Sequence, residues 1–375
     1  MLRRILQDSL RENLSLQKVT LLLGARRTGK TELLQAVYEA APGTTLWLNG
    51  EDADTAALLE KRTQANYRRL LDGYTLLMVD EAQYVPGIAQ KAKLMIDTIK
   101  PLHIILTGSS SFDLVQMDQP LVGRSITYQL FPLSQAEWAQ QENAVQTRQH
   151  LEDRLLYGSY PEISRLKTAR QKEMYLKELV NTYLLKDILV FENIRNAQKI
   201  KDLLVLIAWQ VGSEVSLDEL GKNLGMSKNT VERYLDLLSK VFVIYSRGGY
   251  SRNLRKEVVK SRRWYFVDNG IRNAVINHFG PLATRTDVGA LWEQYFLGER
   301  LKHNQYRHPG VESYFWRTYD GQEIDLLESH NGLLEAFECK WKKTKVKPPV
   351  AFAKAYPEAR FHVATPETYL EWMGG

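Results

Sequence analysis

Residues 24–31, Gly24-Ala-Arg-Arg-Thr-Gly-Lys30-Thr31, follow directly on the apolar run Val19-Thr-Leu-Leu-Leu23. The spacing G-x-x-x-x-G-K-[ST] in that position leaves this part of the chain little conformational freedom. A buried strand ends at Leu23, a tight loop follows, and Glu32-Leu-Leu-Gln-Ala-Val-Tyr38 reads as the helix behind it. A loop of this kind cradles phosphate oxygens. Gly24 and Gly29 let backbone N–H groups turn inward along Ala25, Arg26, Arg27 and Thr28. Lys30 sets a cation on the β- and γ-phosphates, Thr31 offers its hydroxyl to Mg²⁺, and the helix N-terminus adds positive partial charge. The expectation is a nucleoside triphosphate, ATP with Mg²⁺.

About fifty residues on, Thr75-Leu-Leu-Met-Val79 closes on Asp80-Glu81. An apolar strand ending in two acids completes such a loop: Asp80 holds Mg²⁺, and Glu81 polarises the attacking water. Thr44-Thr-Leu-Trp-Leu48 is a further strand, and His103-Ile-Ile-Leu-Thr-Gly-Ser-Ser-Ser111 another that ends in hydroxyls. Ser109 has two readings of similar weight, orienting water or sensing the γ-phosphate, or capping the next helix together with Ser110 and Ser111. Residues 1–16 read as an amphipathic helix with Arg3, Arg4 and Arg11 outward. Strands alternating with helices predict a parallel sheet with the ligand at its carboxyl edge.

The segments GARRTGKT, LLMVDEAQ, ILTGSSS and LVGRSITYQLFPLSQAE together resemble the AAA-type ATPases of prokaryotes that carry a C-terminal domain of unknown function. The resemblance covers nearly the whole chain. It implies an α/β protein with a P-loop AAA+ parallel-sheet core (1–135), a helical lid (136–210), a winged helix-turn-helix (211–285) and an α/β nuclease-like domain (286–375). It also suggests Arg124 as an arginine finger serving a neighbouring subunit, hence a homo-oligomer; the alternative is an exposed salt-bridge arginine. Ser134 and Glu137 stand in capping-box spacing, so Glu137 reads as structural.

Two short capped helices joined by Gly225-Met226, followed by Phe242-Val-Ile-Tyr245, carry the helix-turn-helix signature. The second helix would present Lys228, Asn229, Thr230 and Arg233 to a DNA groove. Between 247 and 263 stand seven Lys or Arg against the single acid Glu257, including Arg252, Arg255 and Lys256. With a net charge of +6 they fit phosphate contacts from a wing, although such modules also serve purely for packing.

Near the C-terminus, Glu293 falls on an amphipathic helix, and Glu323-Ile-Asp325 and Leu333-to-Trp341 read as strands. Alternation puts Glu338 and Lys340 on one face and Cys339 on the other. The order E…D…E-x-K resembles the PD-(D/E)xK nucleases. That resemblance implies Mg²⁺ or Mn²⁺ between Asp325 and Glu338, Glu293 completing the shell and Lys340 stabilising hydroxide or phosphorane charge. A surface ion-pair ladder, or a nuclease fold kept for binding branched DNA without cleavage, stays open beside it.

One cysteine excludes an internal disulfide framework and fits a reducing compartment. Without an apolar leader or a run near the ~18 residues of a membrane span, a soluble cytoplasmic protein with no membrane partner is expected. The reading as a whole is an ATP-hydrolysing, DNA-binding protein, acting on branched or junction DNA, with a potential nuclease site. Its competitor is a nucleotide-switched scaffold for protein partners.

Overall fold

The structure, a computed structural model, describes residues 2–109, 121–184, 197–251, 262–342 and 345–374. Its chain divides into two units, one built from Arg3–Phe131 with Lys240–Phe242, the other from Pro132–Ser239 and Val243–Gly375.

The first unit is organised by apolar strands too continuous to face water on either side. In chain order it contains α1 (Leu6–Glu12), β1 (Val19–Leu23), α2 (Lys30–Ala40), β2 (Thr45–Asn49), α3 (Ala53–Leu58), α4 (Gln64–Leu70), β3 (Leu76–Asp80), α5 (Ile88–Thr98), β4 (His103–Gly108) and β5 (Ser125–Gln129). Every residue of β1, β3 and β4 is buried, as a parallel sheet covered on both faces requires. The strand order is β2-β3-β4-β1-β5, parallel throughout. Val19, Leu21, Leu77, Val79, Ile104 and Leu106 pack with Tyr67, Ile88 and Met95 on one side of it. The carboxyl ends of β1, β4 and β3 therefore lie side by side, bringing the loops after Leu23, Gly108 and Asp80 together.

The N-terminal segment departs from the outward-facing expectation at Arg4. Only residues from Leu6 are helical, and Arg4 is buried, its guanidinium donating to the carbonyls of Thr28 and Phe131 at 2.6 Å each. An arginine just before a helix has freedom to fold back, and two buried carbonyl oxygens give it a destination. Arg4→Met should leave both without this donor and cost roughly 2–5 kcal/mol, at the usual penalty for buried unsatisfied groups. Denaturant unfolding measures this.

The second unit begins with α6 (Gln135–Trp138), α7 (Ala144–Tyr157), α8 (Ala169–Glu178), which runs into a π-helical turn at Leu179–Leu184, and α9 (Ala197–Trp209). At α6 the capping box forms, Ser134 and Glu137 serving each other's backbone amides, so Glu137 is structural. Next come β6 (Glu214–Val215), α10 (Leu217–Leu224), α11 (Lys228–Lys240), β7 (Ile244–Gly248), β8 (Arg262–Phe266) and α12 (Asn269–Val275). β6, β8 and β7 form a small antiparallel sheet. The turn between α10 and α11 has a physical cause in Gly225, left-handed at φ +59°, where a side chain is disfavoured. Ser216 caps α10 at Glu219, and Ser227 caps α11 at Thr230.

The chain closes with α13 (Val288–Arg307), β9 (Glu312–Arg317), β10 (Glu323–His330), β11 (Leu333–Cys339), α14 (Val350–Ala355) and β12 (Arg360–Ala364). The sheet order is β12-β11-β10-β9, antiparallel except for the parallel β11–β12 pair. Trp316, Ile324, Leu327, Phe352 and Tyr356 form a core on it.

Candidate nucleotide site and the basic and acidic clusters

The phosphate loop leaves β1 at Gly24 and enters α2 at Lys30. Gly29 takes φ +92°, the left-handed conformation that turns the chain into the helix. Gly24 has a different reason from the one its motif position suggests. Its N–H continues the sheet ladder to Gly108 O at 3.2 Å, and a Cβ there would lie 2.3 Å from the carbonyl oxygen of Leu130. It is a close-packing glycine. Arg27 is also left-handed, at φ +64°. Thr28 ties the loop internally by donating to Ala25 O at 2.8 Å, and Arg26 donates to the Tyr84 hydroxyl, also at 2.8 Å. Lys30 is buried and donates to the carbonyls of Gly24 (2.9 Å) and Ala25 (3.1 Å). Its ammonium therefore sits over the loop where phosphate oxygens would be received.

Thr31 Oγ1 donates to Asp80 Oδ2 at 2.7 Å. The two motifs, 49 residues apart, thus meet through a hydroxyl and a carboxylate, the hard oxygen donors Mg²⁺ prefers. The residues fit the ion: Thr31 and Asp80 would hold it, where it would neutralise phosphate charge. Thr107, at the end of β4, donates to Asp80 Oδ1 and accepts the Glu81 N–H at 2.9 Å. It orients the Asp80 carboxylate and fixes the Glu81 backbone, and sequence reasoning passed over it. Its signal was a hydroxyl directly after the apolar run Ile104–Leu106. Glu81 itself is left-handed at φ +48°, an uncommon state for a non-glycine residue that bends the chain out of the strand immediately after Asp80. Its carboxylate accepts from Gln83 Nε2 at 2.5 Å. Ser109 is buried beside them, 3.4 Å from the same Gln83 nitrogen. Ser110 and Ser111 lie outside the described residues.

Arg124 is placed away from this group. It precedes β5, and its carbonyl accepts from Val19 N at the start of β1, the sheet edge opposite the phosphate loop. Its guanidinium pairs with Asp97 at 2.6 Å on the surface. It does not act on its own chain's loop.

In the second unit, α11 presents Lys228, Asn229 and Arg233 to solvent, with Thr230 half-buried behind them. Lys228 lies 3.5 Å from Asp218, and Arg233 stacks over Tyr234. Arg252, Arg255 and Lys256 lie outside the described residues. The basic stretch is not uniformly available, and this corrects the expectation for its two ends. Arg247 is buried and donates to Leu297 O at 3.1 Å. Arg263 is buried, pairs with Glu323 at 2.6 Å and stands 4.5 Å over the Phe315 ring. Tyr250 N also bonds Phe315 O at 2.7 Å, so the hairpin is joined to β9. Charge counted along a sequence does not distinguish a solvated arginine from one stacked on a ring.

The C-terminal acids do converge, in part. Asp325 lies in a bulge where the register between β10 and β9 slips between Ile324 and Leu327. Such a bulge re-aims a side chain. Here it turns Asp325 inward, its Oδ2 accepting from Cys339 N at 2.7 Å. Lys340 donates to Glu338 Oε1 at 2.6 Å, confirming that these two share a face. Burial opposes the charge on Lys340, yet the Glu338 carboxylate outweighs it and raises the ammonium pKa. Glu293 comes from α13, with its Oε1 accepting from the Tyr265 hydroxyl at 2.9 Å. Burial and the nearby Asp325 raise its pKa well above the usual carboxylate range. Burial, then Glu338, pushes Asp325 up to about 7.

Among the described residues no group of three or more His, Cys, Asp or Glu is arranged to hold a metal ion. One oxygen of each buried acid takes a protein donor, Asp325 Oδ2 from Cys339 N and Glu293 Oε1 from the Tyr265 hydroxyl, and the buried Glu338 Oε2 has no hydrogen-bond partner among the described residues. A stability prediction follows from the sign. Asp325 binds its proton more tightly folded than unfolded, so its contribution falls as pH rises from about 4 to about 7 and stays lost above that. Asp325→Asn keeps an acceptor for Cys339 N–H and cannot ionise. With chelator present, its melting temperature should gain on the parent's from pH 5 to pH 8; a constant difference would contradict the raised pKa.

Three segments of the chain match known family models. Residues 16–139 match the family model described as an AAA domain. Residues 148–281 and 288–368 match two models described as domains of unknown function, DUF8612 and DUF4143. An uncharacterized protein of Mycobacterium tuberculosis is 27% identical over 348 residues, covering 91% of this chain and 74% of its own. One from Haemophilus influenzae is 25% identical over 291 residues, covering 70% of each. Among solved structures, the Walker-type ATPase of Pyrococcus abyssi superposes with a TM-score of 0.50 at 18% identity, over 72% of this chain and 94% of that one. The chain is an α/β protein whose residues 16–139 match an AAA domain. No helix among the described residues is long and apolar enough to cross a membrane.

Proposed function

We propose that this protein hydrolyses ATP with Mg²⁺ and couples that cycle to DNA held by its second unit. The observation that carries the reading is the bonded series Thr31–Asp80–Thr107–Glu81, which joins the metal-binding hydroxyl to the water-activating acid at one sheet edge. Lys30 would steady the phosphates, Asp80 and Thr31 the ion, and Glu81 would take the proton of the attacking water. Supporting DNA as the partner is the exposed Lys228, Asn229 and Arg233 face at the start of the second helix of a helix–turn–helix followed by a hairpin. That arrangement is read as a winged helix.

The order α13-β9-β10-β11-α14-β12 supports a nuclease-like C-terminal module. Asp325 bonds the amide before Lys340, and Lys340 bonds Glu338, so the reading keeps a potential metal-dependent nuclease site there beside DNA contact. Arg124, on the far sheet edge, is proposed to meet a neighbouring copy's γ-phosphate, which makes the working form a homo-oligomer. A nucleotide-switched protein scaffold is the second reading. It is favoured by the burial of Arg247 and Arg263 against the C-terminal module.

ATP turnover measured against single-stranded, duplex and four-way-junction DNA tests the proposal. Stimulation by one form, with affinity falling steeply as salt rises, is the expected result. Turnover indifferent to all three would favour the scaffold.

A further inference from the structure

We propose that Gln83 is the positioning residue for Glu81, linking that carboxylate to the end of β4. The inference rests on the proposed ATP hydrolysis and on Glu81 as its base. Gln83 follows Glu81 in the short 3₁₀ turn Ala82–Tyr84. Its Nε2 donates to Glu81 Oε2 at 2.5 Å and lies 3.4 Å from Ser109 Oγ. A single amide thus reaches the acid at the end of β3 and the buried hydroxyl after β4.

The orientation of the amide is informative. Gln83 Oε1 is buried and finds no hydrogen-bond donor among the described residues. A buried acceptor left that way is costly, and rotating the amide by half a turn would exchange its two ends. The exchange is blocked by Glu81, because it would set the amide oxygen against a carboxylate oxygen. A charge-assisted bond to Glu81 therefore holds the amide in an orientation that its own oxygen does not favour. That is expected where the donor's task is to hold the acid.

The consequence for Glu81 is geometric. Its backbone is set by the left-handed φ and by the N–H bond to Thr107, but a glutamate side chain keeps rotatable bonds beyond that. With Oε2 held by Gln83, Oε1 remains to receive the water proton. Losing that restraint lets the carboxylate leave the line of attack, and misplacement of a base lowers turnover without touching nucleotide binding. Ser109, at the loop after β4, shares the same amide nitrogen as a second acceptor. Nucleotide at that loop would then alter how firmly Glu81 is held.

Gln83→Met, close in shape and without a donor, and Gln83→Glu, which sets like charge against Glu81, test this. Both should lower kcat about 10- to 100-fold, the loss expected for one bond to a charged group, with KM for ATP changed less than about 3-fold. Because Gln83 acts through Glu81, Gln83→Met added to Glu81→Gln should cost almost nothing more. Either variant that turns over within about 2-fold of the parent, while Glu81→Gln is inactive, overturns the inference and leaves the ATPase reading intact. Equal losses in kcat and nucleotide affinity would also overturn it, as the mark of a merely structural residue. A parent protein that does not hydrolyse ATP, or that loses nothing in Lys30→Ala, defeats the underlying reading instead. Should Gln83→Met fail to fold, the Gln83→Glu variant is judged by the same limits.

Discussion

Lys30→Ala should remove ATP turnover, by a factor of about 100 or more, and with it most of the affinity for triphosphate. The buried ammonium is held over the phosphate loop by two of the loop's own carbonyls, Gly24 O and Ala25 O. Its loss therefore subtracts charge from the place where β- and γ-phosphate oxygens gather. The fold should survive. Thr28 still bonds Ala25 O, Arg4 still bonds Thr28 O, and Gly29 still turns the chain into α2. Binding of a fluorescent ATP analogue and turnover are the two measurements. Normal turnover in this variant would remove the nucleotide site from residues 24–31.

The second large effect is expected at Glu81. Glu81→Gln keeps the size of the side chain and the N–H bond to Thr107, and leaves Thr31, Asp80 and Lys30 untouched. ATP should bind as in the parent, whereas hydrolysis should drop by about 10² to 10⁴, the usual share of a general base. Binding retained with turnover lost separates this variant from Lys30→Ala. Unchanged turnover would take Glu81 out of the reaction and pass the role to another group near Ser109.

The proposed nucleotide site was legible in sequence because its parts are short, local and chemically constrained. A loop with Gly29 in left-handed conformation, a lysine, a hydroxyl, and an apolar strand closing on two acids each announce themselves in a few residues. Apolar runs without alternation also implied strands buried on both faces, which is why a parallel sheet was expected and is present. The helix–turn was equally local, written in Ser216, Gly225 and Ser227.

Long-range pairing was decided by tertiary structure alone. No local pattern could assign Arg4 to Thr28 and Phe131, or Gly24 to the carbonyl of Leu130, since those partners come from distant segments. The same holds for Arg247 and Arg263. Their charge suggested phosphates, and their position beside Leu297, Phe315 and Glu323 uses it within the protein. At the C-terminus the order of Glu293, Asp325, Glu338 and Lys340 was visible in sequence. The bulge at Asp325, the Tyr265 hydroxyl on Glu293 and the burial that favours protonated acids were not. Sequence determines which groups a chain owns and how neighbours along it are spaced. Solvation and partners belong to residues far apart in sequence, and they decide whether such a group stays charged, free and aimed at a ligand.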